Sequence, residues 1–152
     1  MQDWGLARLI RERHPGIALH ASTHAAGQGP EALELAREMG ASRVVLPRET
    51  SVAEIARLRR AVPGVELEAF VHGALCYSFS GLCLASGMVL GRSGNRGECA
   101  QLCRSYYDAE GPLLPPDPLR PRPRERGYWF SCRDLCLEGR LEELSAAGIA
   151  SL

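Results

Sequence analysis

Six cysteines stand in this chain of 152 residues, and four of them fall between Cys76 and Cys103. Cys76 and Cys83 flank six residues, Cys99 and Cys103 flank three, and a Gly-rich basic run with Gly91, Arg92, Gly94, Arg96 and Gly97 joins the pairs. Thiolates gathered on loops suit a metal or an iron–sulfur cluster better than a hydrophobic core, and four are the normal complement of one 4Fe-4S cluster. A second arithmetic is open. Cys99-x3-Cys103 and Cys132-x3-Cys136 are matched pairs, as a structural Zn site with four thiolates would show, although zinc sites more often use two intervening residues and this choice leaves Cys76 and Cys83 unused. Buried or disulfide-bonded cysteines are the third reading.

Other side chains able to do chemistry cluster at strand ends. His20, Ser22 and His24 follow one apolar run, Arg48 and Glu49 a second, and His72 a third. A histidine there can orient a substrate or carry a proton, or merely satisfy local hydrogen bonds. Arg48 with Glu49 suits a substrate clamp for carboxylate or phosphate in which Glu49 holds the guanidinium; a structural ion pair is the competing reading. Arg96 can bind substrate or balance cluster charge, and backbone amides of a helix starting near it would favour an anionic cluster. Tyr77, Phe79 and Tyr106 can stack on a base or simply pack. There is no GxSxG elbow and no HExxH, so peptide hydrolysis would have to rest on a pair such as Cys76 with His72.

The elements that must position these groups are legible. Asp3 to His14 reads as an amphipathic helix with Trp4, Leu6, Leu9 and Ile10 as its apolar positions, stopped by Pro15-Gly16. Ile17 to Ala21, Arg43 to Leu46 and Val65 to Val71 read as strands. Between them, Gly29 to Met39 reads as a helix with Pro30 near its start and Gly40 as its cap, and Ser51 with Glu54 opens a third helix through a capping box. Strand–helix–strand–helix–strand with short connections requires parallel strands, so this half is α/β, and its polar strand ends share one rim with the cysteines. After Arg104, the aromatic segments SYYDAE and GYWF can pair as a small hairpin. Gly111 to Arg126, with six prolines and four arginines (Arg120, Arg122, Arg124 and Arg126), joins them as an extended linker or a phosphate-binding tract. Leu135 to Ala147 reads as a helix, and IASL as the start of another strand. The expected divisions are 1–75, 76–104, 105–131 and 132–152.

Composition sets limits. Eighteen basic residues, all Arg, balance eighteen acidic ones, so net charge argues for no particular partner. No apolar run approaches the roughly 20 residues of a membrane span, and MQDWGLARLIRERHPG has no signal-peptide pattern. A cytoplasmic location is expected, where cysteines serve first as ligands or catalytic thiols; in a secreted chain, three disulfides would be the natural reading.

Taken together, Glu68-x-Phe70-x-x-Gly73-Ala74-Leu75-Cys76, Gly81-x-Cys83 with Ser86, GRSGNRGECAQLCR, HAST at His20 to Thr23, VVLPRE at Val44 to Glu49, SCRDLCL and AAGIASL resemble the collagenase-like peptidase family, number thirty-two of unassigned type. Ala85 departs from a usually larger aliphatic residue, and His24 from a usual Gln; the second departure bears on ligand binding. The resemblance implies a partial (β/α) TIM-type barrel with a cysteine-rich loop region and a small β insertion. Early strands would precede Met1 and another would follow Leu152, so the chain would be a fragment, inactive alone and completed by a partner chain or by self-association. The family holds peptidases and also oxygen-independent hydroxylases of transfer RNA, ribosomal RNA or ubiquinone precursors that carry a 4Fe-4S cluster. By motif match the cluster ligands are Cys76, Cys83, Cys99 and Cys103, with Cys132 or Cys136 able to replace Cys103. RNA or a small molecule would then sit at the rim formed by His20, Ser22, His24, Arg48, Glu49, His72 and Arg96.

Overall fold

A computed structural model describes residues 1–25, 28–80, 83–108 and 126–152 and divides them between two units, Met1–Cys83 with Asp134–Leu152, and Leu84–Arg133. In chain order the strands are β1 (Leu19–Ala21), β2 (Ala41–Val45), β3 (Glu66–Glu68), β4 (His72–Ala74), β5 (Tyr107–Asp108), β6 (Arg126–Gly127), β7 (Asp134–Cys136) and β8 (Ile149–Ser151). The α-helices are α1 (Trp4–Arg13), α2 (Pro30–Glu38), α3 (Val52–Ala61), α4 (Ala85–Leu90) and α5 (Leu141–Ala146). No helix among the described residues is long and apolar enough to cross a membrane.

Local chemistry sets the helix ends of the first unit. The Asp3 carboxylate accepts from the Leu6 N–H at 2.8 Å and starts α1. Pro30 occupies the first turn of α2, where its missing N–H costs nothing, and Gly40 at φ +88° ends it. Ser51 and Glu54 form the expected capping box of α3: the Ser51 Oγ accepts from the Glu54 N–H at 3.3 Å, and the Glu54 carboxylate accepts from the Ser51 N–H at 2.8 Å.

β1, β2, β3 and β8 pair in that order, all parallel, into an open sheet; no barrel closes among the described residues. Period-two alternation gives the sheet two unlike faces. Ala21, Val44 and Leu67 are buried on one face in a core with Leu33, Ala36, Ile55, Leu58 and Leu144 from the helices and Val62 at the end of α3, and Leu19 is buried as well. On the other, Arg43 reaches Glu66 at 2.7 Å and Glu68 at 3.3 Å, and His20 lies in register beside Arg43.

Three expectations need correction. The strand expected over Val65 to Val71 is shorter, β3 at Glu66–Glu68; the chain then leaves the parallel sheet, and β4, which begins at His72, pairs antiparallel with β7. The helix expected from Leu135 begins at Leu141; Asp134–Cys136 is β7, whose backbone bonds to β4, and the Leu137 N–H donates to Val71 O at 2.8 Å. In α1, Ala7 is buried and Trp4 packs on the core, whereas Leu6 and Leu9 are half exposed. At 100° per residue Trp4 and Ala7 share one side, and Leu6, Leu9 and Ile10 gather on the other.

The Leu84–Arg133 unit is built differently. Among its described residues only Ser86 is buried, and Leu84, Met88, Val89 and Leu90 around α4 are exposed, Met88 to 81%. β5 and β6 pair antiparallel, with Tyr107 opposite Gly127 and an Arg126–Asp108 ion pair of 2.6 Å. Edge-to-face contacts of 5.1 Å join Tyr106 to Tyr128 and Tyr107 to Phe130, so the aromatic ends of the insertion do meet. The linker arginines Arg120, Arg122 and Arg124 lie outside the described residues.

Candidate functional site

The loop after β2 reaches two neighbouring segments. Its turn is closed by the Thr50 N–H donating to Pro47 O at 3.2 Å, and Pro47 is buried. Arg48 leaves the turn toward the end of β3, where its guanidinium carbon sits 3.8 Å from the Phe70 ring centroid. Glu49 leaves it toward the cysteine loop: its carboxylate accepts from the Ser80 N–H at 3.0 Å and from the Ser80 Oγ–H at 2.9 Å. The expected grip of Glu49 on the Arg48 guanidinium is therefore replaced by two separate partnerships. Consecutive side chains leave a tight turn in different directions, and each meets what lies there.

A cavity of about 380 Å³ opens beside this turn, lined by Arg48, Phe70 and Arg140 among apolar walls that include Leu46, Ile55, Leu135 and Leu144. Arg140 pairs with Glu143 at 2.6 Å; that carboxylate holds the guanidinium pKa above its ordinary value, and Arg140 in turn lowers the pKa of Glu143.

Of the remaining rim residues, His20, His24, His72 and Arg96 are exposed and Ser22 is half-buried. His20 lies in β1, and the Ser22 Oγ accepts from the His24 N–H at 3.3 Å in the 3-10 turn Thr23–Ala25. His72 stands opposite Cys136 across the β4–β7 ladder, both exposed, so the imidazole's cross-strand neighbour is this thiol.

Among the described residues no disulfide forms, and all six cysteines carry thiols. Cys76, Cys83 and Cys136 belong to the unit with the parallel sheet, and Cys99, Cys103 and Cys132 to the other. Among the described residues no three His, Cys, Asp or Glu side chains come together as a metal site. Side chains and backbone nonetheless shape each loop. The Cys99 Sγ accepts the Gln101 N–H at 3.4 Å, with Gln101 in the left-handed region at φ 52°. Buried Ser86 accepts the Ala100 N–H on its Oγ at 2.9 Å. Arg104 donates to Ser131 Oγ at 2.7 Å and to Cys132 O at 2.9 Å, which ties the 3-10 turn holding Cys103 to the segment holding Cys132. The helix expected near Arg96 is a single 3-10 turn, Gly94–Arg96, ended by Gly97 at φ +81°; two glycines so close give no helical continuation. Arg96 itself is exposed.

Ser80 and Ser86 are the residues that sequence reasoning left without a role. Both are small hydroxyls beside cysteines, and only their burial reveals them as anchors.

The family model for peptidase family U32 matches residues 1–152. The chain belongs to this family. It is 46% identical over 110 residues to "tRNA hydroxylation protein P" of Haemophilus influenzae, covering 72% of this chain and 24% of that protein. It is 38% identical over 107 residues to "23S rRNA 5-hydroxycytidine C2501 synthase" of Escherichia coli, covering 70% and 16%. It is also 35% identical over 112 residues to "Collagenase" of Porphyromonas gingivalis, covering 67% and 27%. The chain thus spans about a quarter or less of the length of these curated U32 relatives. No solved structure matches it.

Proposed function

We propose that this U32 chain supplies the cluster-binding rim of an oxygen-independent RNA hydroxylase that works in the cytoplasm and holds a 4Fe-4S cluster on Cys76, Cys83, Cys99 and Cys103. The observation that carries the reading is the Leu84–Arg133 unit, whose described residues bury one side chain, Ser86. A unit whose described residues form no hydrophobic core needs another source of folding energy, and a metal on its thiols is one such source. The donor set fits: all six cysteines carry thiols, and the Cys99 sulfur already accepts an N–H. Cys132 and Cys136 remain available should Cys103 not ligate, and zinc on the Cys99–Cys103 and Cys132–Cys136 pairs is the alternative metal.

In this reading the four-stranded sheet is part of a (β/α) TIM-type barrel whose outer strands β1 and β8 continue into further strands. A partner chain or a second copy would supply them. The bound cluster would supply redox or Lewis-acid activation of an oxygen donor. The chain's own residues would do the rest. Arg48, steadied on Phe70, offers a guanidinium to an anionic group of a substrate entering the adjacent cavity. His72 is placed to carry a proton, while the exposed His20, His24 and Arg96 and the half-buried Ser22 offer donors to an RNA or small-molecule acceptor.

Anaerobic purification followed by an absorbance spectrum and iron and zinc counts tests the cofactor; a colourless protein with one zinc sinks the cluster. Nucleoside mass analysis of RNA from cells lacking the gene tests the reaction, with a nucleoside lighter by one oxygen expected. The peptidase reading keeps a geometric footing in the His72–Cys136 neighbourhood. Unchanged RNA together with loss of gelatin cleavage in Cys136→Ser would favour it.

A further inference from the structure

We propose that Glu49 is a positioning residue for the Cys76 and Cys83 thiols, acting by holding the loop between them at Ser80, and that it does not touch substrate. The inference rests on the reading of these cysteines as ligands, but its geometry is independent of any metal.

Both carboxylate oxygens of Glu49 are used, one by the Ser80 N–H at 3.0 Å and one by the Ser80 hydroxyl at 2.9 Å. Ser80 is 6% exposed, so losing Glu49 would leave a backbone N–H and a hydroxyl with little access to water, which is the costly way to lose a hydrogen bond. The carboxylate is presented from a fixed base: Pro47 is buried, the Thr50 N–H closes the turn on Pro47 O, and the capped helix α3 follows at Val52. The anchor point matters because of where it falls in the chain. Ser80 lies four residues after Cys76 and three before Cys83. A chain reaches about 3.5 Å per residue, so fixing Ser80 confines the two Cα atoms to roughly 14 Å and 11 Å of it.

Charge points the same way. A carboxylate beside a loop of ligand thiolates is repelled by them, so balancing the charge of an anionic cluster is not its use; accepting two hydrogen bonds is. Arg48, one residue earlier, has its own partner in Phe70. The two residues of the turn are thereby separated in role, Arg48 facing the cavity and Glu49 the thiol loop.

The test is alkylation of the reduced, chelator-stripped chain with iodoacetamide, read cysteine by cysteine by peptide mass spectrometry. Glu49→Ala is expected to speed labelling of Cys76 and Cys83 about 5- to 20-fold, in keeping with loss of hydrogen bonds to a charged acceptor, while Cys99 and Cys103 stay within about twofold of the parent. Glu49→Gln keeps an oxygen for the Ser80 N–H and can donate to the hydroxyl, so it should restore most of the protection. Unchanged labelling of Cys76 and Cys83 in Glu49→Ala, or a rise shared equally by all six cysteines, overturns the proposal. If Glu49→Ala does not fold by circular dichroism, Ser80→Ala decides, with a smaller rise at the same two cysteines expected and none overturning it. Iron is counted separately on the anaerobic parent: a parent without iron strikes down the cluster reading and leaves the alkylation comparison intact.

Discussion

The two units hold thiols by different physics. In the Met1–Cys83 and Asp134–Leu152 unit, the cysteine loop is fastened by Glu49 to a turn that grows out of a parallel sheet with one buried face. In the Leu84–Arg133 unit, the loops are fastened to one another by Ser86, Arg104 and the Tyr107 hydroxyl, which donates to Leu102 O at 2.7 Å, with one buried side chain among the described residues. Burial is non-directional and sums over a core; polar ties are individually modest and fail together when the loop opens. The first unit is thus a scaffold that carries thiols, and the second is a set of loops that thiols would have to organise.

Removing metal from the anaerobically loaded chain should divide the units most sharply. Amide exchange in 99–108 and 126–133 is expected to rise about 100-fold or more as a metal-dependent fold is released, while Leu67 and Val44 stay protected. Protection that survives chelation in both regions would break the comparison. Next in size, Leu67→Ala, at a fully buried sheet position, should lose about 2–5 kcal/mol in urea denaturation, whereas Met88→Ala should stay within about 0.5 kcal/mol. Equal losses would mean that the second unit has a core after all. Gly148→Ala should cost about 1–2 kcal/mol, because φ +95° strains any other L-residue and its Cβ would come 2.6 Å from Arg59 Cγ. The smallest effect belongs to Ser51→Ala, about 1 kcal/mol from the loss of a helix cap.

That last variant also has a pH signature. Hydrogen bonds from the Ser51 side chain, then from its backbone, hold the Glu54 carboxyl below its ordinary pKa. Its contribution is therefore present above the ordinary carboxylate range and is lost as pH falls through the lowered value. Thermal melts of the parent below pH 5 should show this loss, and Ser51→Ala should flatten it.

What the sequence made legible was whatever short-range chemistry determines. Ser51 with Glu54, and Pro30 with Gly40, specify their helix ends within a few residues, and the structure keeps them. Parallel pairing followed from the brevity of the helical connections. The β4–β7 ladder was hidden because its partners are far apart in the chain, and because Leu137, Leu141 and Leu144 imitate a helical stripe. The alternation of Leu135 and Leu137 around Cys136 was the strand signal that this stripe masked. In α1, four apolar residues close together suggested one face where there are two. At the site, adjacency suggested that Arg48 and Glu49 serve each other. Which segments pass on either side of a turn is tertiary information, and it sends them to Phe70 and Ser80. The anchoring roles of Ser80 and Ser86 were illegible for the same reason, since burial of a serine leaves no mark in its neighbours.

The uncovered face of the parallel sheet sets a term for any encounter with nucleic acid. It presents one guanidinium, Arg43, against two carboxylates, Glu66 and Glu68, with the Arg43 pKa raised chiefly by its bond to Glu66. A phosphate backbone laid on such a surface would find no surplus cation and would release no counterions to it, so salt-sensitive affinity for RNA must arise elsewhere in the molecule. What this face can offer is a row of donors and acceptors to an uncharged base edge or hydroxyl, a contact whose strength would hardly change with ionic strength.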